Sequence, residues 1–163
     1  MPFMNRFTTT VTGAVTFTGN TLGLSPTSPA PGNNFGTINV FTTVNTSLQV
    51  PGLPVGTTND WRLNSSSAIL NLPAGSNVLY AELVWAGTYR TDTEDVTVFL
   101  NDNITFTTPA GTCAVTPDPA TAQQGSVGSQ FYYVRSANVT SLVNAGGAGP
   151  YTMGGRTSYK NIR

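Results

Sequence analysis

The chain has 163 residues, seven of them basic and seven acidic, with no histidine, one cysteine and only 9% charged residues; an average soluble domain carries about 25%. Zero net charge and the lack of a basic run exclude an electrostatic nucleic-acid footprint, and no stretch reaches the ~18 apolar residues of a membrane-spanning helix. Without histidine there is no Ser-His-Asp or Cys-His chemistry, and one cysteine cannot build a disulfide framework or a multi-cysteine zinc site.

The length fits a single domain with a real core, and 10% aromatics argue against disorder. A neutral chain with a pI near 6.0 has little charge to resist association. Residues 1–8 lack the positive n-region and the roughly 7–15-residue apolar core of a secretory signal. The Thr/Asn/Gly-rich, charge-poor composition is nevertheless typical of exported surface proteins, which is compatible with a lost signal, with leaderless export, or with deposition from inside a mother cell as at a spore surface.

In chain order, residues 10–18 alternate, with Val11, Gly13, Val15 and Phe17 on one side and Thr10, Thr12, Ala14, Thr16 and Thr18 on the other. Period two with β-branched residues predicts a half-buried strand. Residues 25–34 (SPTSPAPGNN) read as an extended connector. A second alternation from Thr37 to Val50 predicts a long strand, ended by Pro51-Gly52 and Pro54. Residues 67–72 form a short strand. Residues 78–86 (VLYAELVWA) are apolar on nearly both parities, which predicts a central strand covered on both faces, or one with a face against loops.

Residues 95–100 and 103–108 predict a hairpin about Asn101-Asp102. Residues 109–129 read as a long loop with a short strand near 113–115, and 130–135 as a further strand. Ser136 is placed to cap a helical turn over 138–143. Seven or more short strands without long helices predict an all-β, antiparallel β-sandwich with jelly-roll-like connectivity. The expected organisation is an N-terminal strand segment over 1–24, a Pro/Gly-rich connector over 25–36 and the sandwich over 37–163. The last clear strand ends near Arg135, so the sandwich is expected to be cut short, leaving a groove with unpaired backbone groups.

Two stretches carry a resemblance. Asn5-Arg6-Phe7 with residues 12–25 (TGAVTFTGNTLGLS), and residues 72–87 (LPAGSNVLYAELVWAG), resemble the N-terminal β domain of large surface proteins from the Bacillus group of spore-formers. Residues 137–143 and 149–152 are similar to the same pattern. In those proteins the domain precedes arrays of immunoglobulin-like repeats. The resemblance implies a surface structural protein, with a further apolar strand and repeats expected beyond this C-terminus, and it brings no catalytic motif.

Several residues are candidates for chemistry. Asp92, Glu94 and Asp95 gather three carboxylates in one loop, the oxygen-rich setting that suits calcium, or else a solvated acidic turn balanced by Arg90. Trp61 and Tyr89 are candidate stacking platforms for a glycan, whereas Trp85 follows the apolar parity of its strand and reads as core. Cys113, in a Gly/Pro/Thr loop, is a candidate for an intermolecular disulfide or an inert thiol. Lys160, the only lysine, and Asn161 are the weak makings of an isopeptide bond with Glu82 as promoting acid. Sequons at Asn45, Asn64, Asn103 and Asn138 are expected by chance in so Asn- and Thr-rich a chain.

The expectation is a non-enzymatic structural protein that forms a homo-oligomer or filament by edge-strand pairing. Val11, Val15 and Phe17 are its pocket-filling anchors, unless residues 8–18 are an ordinary strand of their own domain. The alternative is a carbohydrate-binding or adhesive jelly-roll module, stabilised by calcium. A paired-acid glycosidase would have only Glu82, Asp92, Glu94 and Asp95 to draw on.

Overall fold

The computed structural model describes residues 4–24, 40–90 and 94–155; the connector over 25–36, Asp92 and Lys160 fall wholly or mainly outside them. The fold is all-β and sandwich-like, with three antiparallel sheets and one short α-helix among the described residues. The first sheet has the order β1-β2-β3: β1 (Gly23–Leu24), β2 (Val40–Thr42) and β3 (Thr57–Thr58). The second has the order β4-β10-β6-β7: β4 (Ser65–Leu70), β6 (Ile104–Thr108), β7 (Gly111–Val115) and β10 (Gly149–Gly154). The third has the order β5-β9-β8: β5 (Glu82–Arg90), β8 (Gln123–Val127) and β9 (Gln130–Asn138). Helix α1 spans Thr140–Gly146.

The main core lies between the second and third sheets. Trp85 and Tyr89 from β5 and Tyr133 and Ala137 from β9 meet Ile104 and Phe106 from β6, Val115 from β7 and Tyr151 from β10, with Val143 of α1 joining them. On β5 and β9 the inward residues follow the period of two, so Trp85 is core as its parity indicates. A second apolar cluster belongs to the small sheet, where Leu22, Leu24, Val40 and Phe41 are buried together with the polar Thr43, Thr57 and Thr58.

Several expectations change. The run over 78–86 is not a central strand, because β5 is the edge of its sheet and Val84 and Ala86 on its outer face are exposed. Residues 95–100 are not a strand. The Asp95 carboxylate accepts from the Thr97 N–H (2.9 Å) and lies 2.5 Å from the Thr97 hydroxyl, tightening a 3₁₀ turn over Thr97–Phe99. Val96 and Leu100, four residues apart on this turn, are both buried. In the described part of 37–50 only β2 is a strand. The Asn45 side chain accepts from the Ser47 N–H (3.0 Å) and bends the chain before the bridge between Gln49 and Val55.

Ser136 is not a cap but a buried residue of β9. At α1 it is the Asn138 side chain that receives the Thr140 N–H (3.0 Å). Arg135 does not close the fold either: β9 runs on to Asn138, and β10 inserts between β4 and β6.

Candidate assembly interface

The segment before β1 does not form the predicted half-buried strand. Residues 4–20 are exposed throughout and join no ladder. Val11, Val15 and Phe17 point to solvent, with Val15 80% and Phe17 90% exposed. Side chains, not backbone pairing, hold this segment to the body, and they do so at its two ends.

At the far end, Thr18 Oγ1 donates to the Ile69 carbonyl (2.8 Å) and Asn20 Nδ2 to the Ser67 carbonyl (3.2 Å), both on edge strand β4. At the near end, Arg6 Nη2 reaches Glu82 Oε1 (3.1 Å) at the start of β5 and Asp118 Oδ2 (2.9 Å). Phe7 stacks on Tyr80 with ring centroids 5.0 Å apart and planes within 3°. Glu82 is further tied by the Tyr80 hydroxyl and by Ser136 Oγ at 2.5 Å. Asp118 also caps the 3₁₀ turn over Pro119–Thr121, its Oδ1 accepting from the Ala120 N–H at 2.9 Å. That backbone bond, then Arg6, holds the Asp118 carboxyl below its ordinary value. The Arg6 guanidinium is raised, first through Asp118. The Tyr80 phenol is raised by burial and then by Glu82.

Residue composition gave no sign of this cluster. The available signal was scarcity: with seven acids and seven bases in the chain, three charges that converge are a sizeable share of the total.

The other candidates come to rest separately. Asp95 is committed to Thr97, with Arg90 Nε 3.9 Å from its second oxygen. Among the described residues, Glu94 included, no three His, Cys, Asp or Glu side chains gather to hold a metal. Tyr89 is not a stacking platform, being 8% exposed and packed edge-on against Tyr133. Trp61 is half-buried, with the Arg62 guanidinium 4.5 Å above its ring and Phe99 beside it. Cys113 lies not in a loop but on edge strand β7, half-buried, with its sulfur 3.6 Å from the Phe106 carbonyl.

Two further surfaces bear on association. The outer face of β5-β9-β8 shows Val84, Ala86, Tyr132 and Val134 to solvent. Arg135, by contrast, is 3% exposed on the inner side of β9. It donates to Asn101 Oδ1 (3.0 Å) and to the carbonyls of Gln123 (3.0 Å) and Val134 (2.9 Å). Comparison of the chain with protein-family models, curated proteins and solved structures found no match.

Proposed function

We infer that the protein is a non-enzymatic structural subunit that self-assembles by strand addition, residues 9–17 of one copy pairing with an open sheet edge of the next. The observation that carries this reading is the exposed row of Val11, Val15 and Phe17 on a segment with β alternation and no partner strand among the described residues. Such a segment satisfies its backbone and covers its apolar row by joining another sheet. Edge strands β4, β7 and β8 carry no charged residue, and charge is a usual defence against such pairing. Pairing of this kind is head-to-tail and gives filaments when it does not close. An extracellular surface is the setting that suits the composition, and a spore surface is what the resemblance to Bacillus-group surface proteins implies.

The test is electron microscopy and sedimentation of the purified chain beside a Val15→Asp/Phe17→Asp variant. Both positions are solvent-facing, so the variant keeps its fold, each change costing within about 0.5 kcal/mol. Ordered fibres or sheets from the parent chain and a folded monomer from the variant are expected. A parent chain that stays monomeric at high concentration, or a variant that assembles equally well, refutes the reading.

A further inference from the structure

We propose that the acceptor is the outer edge of β7 in a second copy of this chain, with Phe17 of the incoming segment seated in the apolar hollow between β7 and α1; the proposal rests on the assembly reading above. Six strands are sheet edges among the described residues; β1 and β3 have two residues each, too short for this segment, which leaves β4, β5, β7 and β8. On β4 the carbonyls of Ser67 and Ile69 already accept from Asn20 and Thr18. β5 starts at the ion-paired Glu82, is irregular between Thr88 and Arg90, and is bridged at Arg90 by Asp95. On β8 (QQGSV) Val127 is the only apolar side chain, so a strand added there covers little apolar surface.

β7 differs in each respect. It has no charge and no proline, its Cys113 is half-buried and its Val115 buried on the core side. The antiparallel ladder with β6 turns the N–H and C=O of every second residue of β7 outward. No described backbone group outside β6 bonds to these residues.

Side-chain chemistry matches on both faces. Inside the edge, Gly111 and Cys113 of β7 and Leu142 and Ala145 of α1 line an open hollow of about 180 Å³. Apolar cavities of roughly 150 Å³ accept a benzene ring, so the hollow takes the phenyl group of Phe17. Val15 then follows two residues along on the same face. On the outside, Thr105 and Thr107 of β6 and Thr112 of β7 form a threonine face, with Thr107 and Thr112 hydroxyls 2.8 Å apart. The incoming segment's opposite parity, Thr12 and Thr16, continues that face as cross-strand neighbours.

The chain's single cysteine makes the arrangement testable. A Phe17→Cys/Cys113→Ser variant, mixed into an excess of the wild-type chain and oxidised in air with copper-phenanthroline, is expected to form a disulfide-linked dimer through the wild-type Cys113. Thr16→Cys/Cys113→Ser, whose thiol lies on the opposite face, is expected to give at least tenfold less. Separately, Ala145→Leu at an exposed position of α1 fills the hollow and is expected to slow assembly at least tenfold while the circular dichroism stays unchanged. Assembly with no preferential link from position 17, or a folded Ala145→Leu chain assembling at the wild-type rate, overturns the β7 assignment and leaves the assembly reading standing. A wild-type chain that does not assemble overturns both.

Discussion

One of the contacts that seat α1 can be measured by a pair of substitutions. Gly146 closes the helix where an added Cβ would lie 2.7 Å from the Tyr151 hydroxyl and 3.1 Å from side-chain atoms of both Pro109 and Thr108. Tyr151 is buried, and its hydroxyl donates to the Gly147 carbonyl at 2.7 Å. Gly146→Ala therefore gains about 1 kcal/mol of helix propensity and loses about 1–3 kcal/mol to overpacking, for a net loss of at most about 2 kcal/mol. Tyr151→Phe removes one hydrogen bond and costs about 1 kcal/mol. In the double variant the closest of the three contacts is gone, while those to Pro109 and Thr108 remain. The two changes should then cost about 1 kcal/mol less together than their sum, within the usual range of coupling for touching residues. Urea denaturation of the four proteins with a shared slope reads this directly. Additivity within about 0.3 kcal/mol would refute the claim that the hydroxyl is what excludes a side chain at position 146. Because Leu142 and Ala145 of this helix line the hollow beside β7, the same cycle also gauges how firmly the wall of the proposed acceptor is held.

Two further outcomes follow from the arm and its base. Asp118 has a folded-state pKa below its ordinary value, so its contribution is complete above the unfolded value near 4 and is lost as pH falls through and below it. The near end of the arm should let go on acidification from pH 6 to 2.5, seen by NMR as loss of the ring-current shift of Phe7 against Tyr80; a flat titration would sink this account. Phe41 is fully buried in the small sheet, and Phe41→Ala should cost about 3–5 kcal/mol. Hydrogen exchange should rise first in β1–β3, the sheet that roots the arm, and protection left unchanged there would contradict a separate cluster.

Alternation carried the parts of this fold in which a strand meets a partner and a core. Residues 67–72, 103–108 and 130–135 lie largely within β4, β6 and β9, and Trp85 faces inward. Tyr89, read from the sequence as a candidate stacking platform beyond the 78–86 run, shares the parity of Trp85 four residues on, and that parity was the signal for its burial. Period two reports a surface that fits a sheet, not that the sheet is present. Residues 10–18 keep the pattern and have no ladder. Side chains that bond their own backbone decided the other departures. Asp95 turned a β-like run into a 3₁₀ turn, and Asn45 bent the chain after β2. The anchor joining Arg6 to Glu82 spans 76 positions, and no local spacing encodes a pairing of that length.

The protein holds its charges in two different ways. Arg6 meets carboxylates near solvent, an arrangement that added salt screens and acid neutralises. Arg135 is enclosed among one amide oxygen and two peptide carbonyls, and among the described residues no carboxylate lies within ion-pair distance of it. Its partners are neutral dipoles that neither titrate nor recruit counterions. The tie from β9 to Gln123 of β8 should therefore hold at ionic strengths and acidities that free the arm, so salt or acid acts on the one tie and spares the other.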